Sequence, residues 1–157
     1  MGTERAGCRR QRAPCLRIAA REVEAYSVTD EGHRVLLVED DPALRQVYAG
    51  SLSEFGYVVR TAGDGAAALN QLTDGWTPCV VFLDLRMPGM DGWEFARRLH
   101  AEDRWKDLPI VVVAAHFRID QEAREIGAAA WLQKPFDLNR MDEQIKRLCA
   151  DEDQARG

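Results

Sequence analysis

No apolar run in this chain approaches the roughly 20 residues that a membrane-spanning helix needs, so membrane insertion is not expected. A basic excess is also missing. The formal net charge is −5, which argues against a protein that binds nucleic acid directly through a positive face. Cysteine is sparse and unpatterned. Cys8, Cys15, Cys79 and Cys149 form no C-x-x-C pair, and no histidine lies close to them in sequence, so no zinc knuckle is expected. Cys79 opens an apolar run and Cys149 falls on a helical apolar stripe. They read as small buried thiols of a reducing compartment, and the cytoplasm is the expected location. What remains is ordinary: 157 residues, 46% hydrophobic and 30% charged, suit one globular domain with a sizeable core.

Residues 1–32 differ from the rest. The first 21 carry six arginines (Arg5, Arg9, Arg10, Arg12, Arg17, Arg21) against one acid, Glu4, and no periodic stripe persists there. Arg9-Arg10 begins like a twin-arginine export signal, but no continuous apolar segment follows. The segment reads as a disordered basic extension; a basic arm touching an acidic partner is the alternative.

From His33 onward, apolar runs and helical stripes alternate. Val35–Val38, Tyr57–Arg60, Val80–Leu83, Ile110–Val113 and Ala130–Gln133 read as strands. Between them, Asp41-Pro42 opens a helix with Leu44, Val47, Tyr48, Leu52 and Phe55 on its stripe, stopped by Gly56. Asp64 caps a short helix through Leu69 and Leu72, and Asp91 caps another with Phe95, Ala96 and Leu99. Ile119, Ala123 and Ile126 make a fourth helix ended by Gly127. Asp137 caps the last, with Leu138, Met141, Ile145 and Leu148. Five βα units with short loops and right-handed crossovers require a parallel sheet with helices on both faces. The expected domain spans 33–150, with 151–157 as a short tail.

Chemistry collects where the strands stop. Glu39-Asp40-Asp41 follows the first run, Asp84 ends the third, and Lys134-Pro135-Phe136 follows the fifth. In a parallel sheet these ends share one edge, which is where α/β proteins place ligand sites. Acids with one lysine suit a metal-assisted, phosphate-handling pocket: Mg²⁺ prefers hard oxygens, and phosphoryl transfer needs mainly alignment and charge compensation. Without a metal the three acids repel one another, so one is expected to take up a proton.

Val-Glu-Asp-Asp-Pro-Ala-Leu-Arg (38–45), Asp-Leu-Arg-Met-Pro-Gly-Met-Asp-Gly (84–92), Gly127-Ala128 and Lys-Pro-Phe (134–136), in this order, closely resemble the receiver domain of bacterial two-component response regulators. The resemblance covers about residues 33–150. It implies a flavodoxin-like (βα)5 doubly wound sheet of strand order 2-1-3-4-5. It implies that Asp84 is the phosphoacceptor and that Asp40 and Asp84 are direct Mg²⁺ ligands. Glu39 acts through a metal-bound water, and the Arg86 carbonyl supplies another oxygen. Lys134 pairs with Asp84 in the empty site and with the phosphoryl group afterwards. The donor would be a histidine kinase or histidine phosphotransfer protein.

Two positions depart from the family pattern. Ala114 stands where a Ser or Thr hydroxyl normally ends the fourth strand, and Trp131 takes the place of a smaller switch aromatic in the fifth. Phosphorylation is therefore expected to bias the switch less, with His116 able to supply a partial replacement donor. Trp131 is either fixed outward as a partner anchor or a mobile switch residue. Only a short tail follows Cys149, so a single-domain signalling protein is expected. It would not be an enzyme beyond its own phosphoryl transfer and hydrolysis. Output would pass to an unidentified partner through the fourth helix, fifth strand and fifth helix. The alternatives are a degenerate receiver acting as a constitutive scaffold and, less favoured, an aspartyl-phosphate phosphatase. Such phosphatases carry a second acid two residues past the nucleophile, where this chain has Arg86.

Overall fold

In the computed structural model the described residues are 32–73 and 75–156, with side chains described through residue 150. The expected basic extension, with Cys8 and Cys15, lies outside the described residues apart from Gly32. Five strands are present: β1 (Arg34–Val38), β2 (Val58–Ala62), β3 (Val80–Asp84), β4 (Ile110–Ala114) and β5 (Ala130–Gln133). They alternate with α1 (Pro42–Glu54), α2 (Gly65–Leu72), α3 (Gly92–His100), α4 (Ile119–Glu125) and α5 (Asn139–Arg156). All pairings are parallel, in the order β2-β1-β3-β4-β5. This is the flavodoxin-like order expected.

The central strands form because they are apolar on both faces. β3 and β4 are buried at every position, as strands covered by helices on both sides must be. Alternate side chains feed two cores. Leu36, Val38, Val81, Leu83 and Val112 pack against Ala68 and Leu72 of α2, Phe95 and Leu99 of α3, and Ile119 and Ala123 of α4. Val35, Leu37, Val80, Phe82 and Val113 pack against Tyr48 and Leu52 of α1 and Met141, Ile145 and Cys149 of α5. Each such large side chain contributes about 1.5–3 kcal/mol on burial.

Helix starts follow the capping residues. Asp41 accepts from the Ala43 and Leu44 amides, Asp64 from Ala67 and Asp91 from Glu94. Gly56 and Gly127 end their helices at φ +97° and +74°, a region that glycine enters without steric cost.

Three expectations need correction. β2 lies one to two residues later than Tyr57–Arg60. It is an edge strand, mostly half-buried, so the polar Arg60 and Thr61 belong to it. Val47 and Phe55 are exposed, so the stripe of α1 narrows to Tyr48 and Leu52, with Leu44 and Ala49 packed alongside. The third concerns cysteine. Cys79 and Cys149 are not free thiols but a disulfide joining the start of β3 to α5, 70 residues apart in sequence. Closing a loop of that length restricts the unfolded chain by roughly 4 kcal/mol.

Candidate functional site

β1 stops at Val38, and the next amide, of Glu39, donates to the Ala62 carbonyl at 3.0 Å. That bond carries the sheet one step further and turns the Glu39 side chain inward, leaving it 2% exposed. Arg45, one turn into α1, donates from Nη1 to the Glu39 carbonyl at 2.7 Å and steadies the loop. Asp40 follows, half-buried, and Asp41 leaves the pocket to cap α1.

Asp84 is the last residue of β3. The chain after it turns through Gly89 at φ +76° and returns so closely that the Gly92 amide donates to the Leu85 carbonyl at 3.0 Å. A Cβ on Gly92 would sit 2.7 Å from the Asp84 carbonyl oxygen and from the Leu85 Cα. Glycine is therefore required for α3 to start directly beneath the acid. The Arg86 amide donates to Asp84 Oδ1 at 3.1 Å and fixes the rotamer.

Lys134 follows β5 at a cis bond to Pro135. Its amide donates to the Ala114 carbonyl at 2.7 Å, which ties the lysine to the end of β4. Its Nζ lies 2.8 Å from Glu39 Oε2 and 3.9 Å from Asp84 Oδ2. Lys134 thus makes the expected ion pair with Asp84, but its shorter contact is to Glu39. The reason is reach: Glu39 extends under the lysine, whereas Asp84 is short and held by the Arg86 amide.

Carboxylate oxygens of Glu39, Asp40 and Asp84 come within 4.8 Å of one another. One ammonium faces three acids. Burial pushes the Asp84 carboxyl up to about 7; the Glu39 charge adds to this, while the Arg86 amide and Lys134 oppose it. Burial works against the Lys134 ammonium, but the Glu39 hydrogen bond and the Glu39 and Asp84 charges outweigh it and hold its pKa above the ordinary value. A pocket whose own charges do not balance, lined by hard oxygens, fits a hard dication.

The rim joins the expected Ala114, His116 and Trp131 to two residues that sequence reasoning missed, Glu122 and Phe117. Ala114 ends β4, buried, and offers only backbone to the pocket. His116 lies beyond it with Nε2 3.0 Å from Glu122 Oε2. Glu122 also receives Arg86 Nη2 at 3.3 Å, so one acid of α4 links the residue after Leu85 to the loop after β4. Nothing in the helical pattern of α4 marked Glu122. Trp131 faces outward, 41% exposed, with the Arg124 guanidinium 5.9 Å from its ring. Phe117 is 94% exposed, on the loop next to His116.

The chain matches the response regulator receiver domain over residues 35–146. It is 36% identical over 124 residues to the C4-dicarboxylate transport transcriptional regulatory protein DctD of Pseudomonas aeruginosa, covering 78% of this chain and 26% of that protein. It is 38% identical over 125 residues to the response regulator MprA of a Mycobacterium species, covering 76% and 53%. The chain therefore spans about half or less of these relatives. Among solved structures, the Vibrio cholerae chemotaxis protein CheY4 superposes with a TM-score of 0.68 at 31% identity, covering 74% of this chain and 98% of that one.

Proposed function

The chain belongs to the response regulator receiver domain family, and from that premise we propose that it accepts a phosphoryl group on Asp84 and signals by binding a partner. One observation carries the reading: Asp84 lies with Glu39 and Asp40 in a single acidic cluster, and the Lys134 ammonium is 3.9 Å from its Oδ2. Asp84 attacks the phosphorus of a phosphohistidine on a histidine kinase or phosphotransfer protein. A P–O bond forms, the P–N bond breaks, and the imidazole leaves with a proton from solvent. Lys134, already held by Glu39, stands ready to meet the charge that moves onto the phosphoryl oxygens. Glu39, Asp40, Asp84 and the Arg86 carbonyl are the residues that would hold Mg²⁺, which supplies charge neutralisation at the transferred group.

The proposal includes a stand-alone receiver that works in the cytoplasm; the Vibrio cholerae chemotaxis protein is a chain of about that size, matched over 98% of its length. The receiver proper runs over 33–150 and passes its state to a partner protein. Relatives such as DctD, a transcriptional regulator, represent the other arrangement, in which a receiver is one part of a longer protein.

Ala114 favours a second reading, a scaffold whose partner binding ignores phosphorylation. Intact-mass spectrometry of the full chain with Mg²⁺ and acetyl phosphate separates these. The proposal expects one added phosphoryl group, absent in Asp84→Asn. No addition, with acetyl phosphate or with a cognate kinase, would leave the scaffold.

A further inference from the structure

The edge of the sheet opposite Asp84 carries a second cluster of ligating side chains. His33 precedes β1, Cys79 precedes β3, and Cys149 lies on the buried face of α5. One imidazole nitrogen and the two sulfurs lie within 4.8 Å of one another. The backbone holds two of them in place independently of the disulfide. The His33 carbonyl accepts from the Val58 amide at 3.0 Å, and the Cys79 amide donates to the Arg34 carbonyl at 2.8 Å. Cys149 is fully buried, Cys79 is 7% exposed, and both belong to the apolar cluster of Val35, Val80 and Ile145. His33 is half-buried and forms the side of the cluster open to solvent.

We propose that His33, Cys79 and Cys149 form a redox-gated cation site which, once the disulfide is reduced, takes Zn²⁺ through two thiolates and one imidazole nitrogen. Two buried thiols resist ionisation on their own, and a cation ligated by both offsets that cost. Nitrogen and sulfur donors select Zn²⁺ over Mg²⁺ or Ca²⁺, so this edge and the all-oxygen pocket around Asp84 take different ions. With the two Cα atoms 5.5 Å apart, both sulfurs can reach one ion at the usual Zn–S distance of about 2.3 Å. Three protein ligands leave the fourth position to water.

The disulfide and the metal exclude one another. A dithiol reductant gives two electrons and two protons to the S–S bond, becoming a cyclic disulfide and leaving two cysteine thiols. Zn²⁺ then displaces both thiol protons. Hydrogen peroxide reverses this: it takes two electrons from the two thiolates and two protons from solvent, becomes two waters, and the S–S bond re-forms as the ion leaves. In the cytoplasm proposed above, thiol reductants maintain the dithiol form, and the disulfide of this structure is the oxidised state of the pair.

The test uses the full chain, reduced and kept anaerobic, with Co²⁺ as the probe. The expected result is one equivalent of Co²⁺ with thiolate-to-metal charge-transfer absorption, displaced by Zn²⁺ and indifferent to Mg²⁺. The signal should be absent from the oxidised protein and from Cys79→Ser, and kept in Cys8→Ser/Cys15→Ser and in Asp84→Asn. His33→Gln lies outside the apolar cluster and tests the site even if Cys79→Ser fails to fold. It should weaken Co²⁺ binding by roughly tenfold or more. No thiolate band in the reduced protein, unchanged affinity in His33→Gln, or loss of the band in Cys8→Ser/Cys15→Ser would overturn the site. Asp84 phosphorylation is read separately, so its failure and the failure of this site are distinguishable.

Discussion

The two halves of the strand edge around Asp84 differ in what they retain. The half built by β1 and β3 holds carboxylate oxygens of Glu39, Asp40 and Asp84 within 4.8 Å of one another, with the Arg86 amide on Asp84 Oδ1 at 3.1 Å. The half built by β4 and β5 gives Lys134 but ends β4 in Ala114, and it turns Trp131 to solvent. On the proposed reading, the first half is equipped to receive a phosphoryl group. The second has Ala114 where the family resemblance leads one to expect a hydroxyl that registers its arrival. Attack needs a nucleophile and charge compensation. A conformational response needs an interaction made in one state and not the other. The comparison teaches that these two requirements are met by different strands and can be lost separately.

The comparison can be broken most directly at Lys134, just past the end of β5 and, on the proposed reading, the residue of that half that serves the chemistry. Lys134→Met should slow phosphorylation by roughly 10²–10³-fold. It should also lower stability by about 2–4 kcal/mol, because Glu39 is left buried without its cation. Stopped kinetics by intact mass and urea unfolding measure the two effects. A variant that keeps its rate would remove Lys134 from the mechanism.

Restoring the missing hydroxyl sharpens the comparison. Ala114→Thr should strengthen the phosphorylation-dependent response, since a charge-assisted hydrogen bond is worth roughly 1.5–3 kcal/mol. The gain should appear as about a tenfold larger ratio of partner affinities with and without phosphate, at an unchanged phosphorylation rate. An unaltered ratio would mean that Ala114 is not the weak point.

A smaller effect comes from pH. In the metal-free protein the Asp84 carboxyl is pushed up to about 7 by burial first and by Glu39 next. A carboxyl raised on folding contributes stability fully present below its unfolded value near 4, lost as pH rises through about 7. Stability in EDTA should therefore fall by about 1–2 kcal/mol between pH 5 and pH 8, the value allowing for solvent that reaches the pocket. Asp84→Asn should flatten that slope, as denaturant titrations at the two pH values will show. An equal slope in both proteins would place the titration elsewhere.

Much of this was legible in the sequence. Buried parallel strands read as unbroken apolar runs, so β1, β3 and β4 were placed within a residue, and the edge strand β5 was placed as well because Ala130 and Leu132 alternate with exposed Trp131 and Gln133. The half-buried edge strand β2 was not. Asp84, Asp40, Glu39 and Lys134 were legible because each stands where an apolar run stops, and a parallel sheet gathers such ends. That Lys134 also pairs with Glu39, and more closely, was not, since that depends on side-chain reach across β1. Glu122 sits on an ordinary helix turn, and only the fold brings it to both Arg86 and His116. Cys79 and Cys149 gave no spacing signal across 70 residues, and His33 joins them through the register of β1 against β3.

Trp131 offers the most direct reading of the central claim, that the phosphoacceptor chemistry is intact while its relay is weakened. The measurement is tryptophan fluorescence of the full chain and of Trp131→Phe during Mg²⁺ and acetyl phosphate addition, with phosphorylation followed by intact mass. The account predicts one phosphoryl group added on Asp84 and little difference between the two proteins' fluorescence changes. A large change belonging to Trp131 would contradict the weakened relay, and no added phosphoryl group would contradict the intact chemistry.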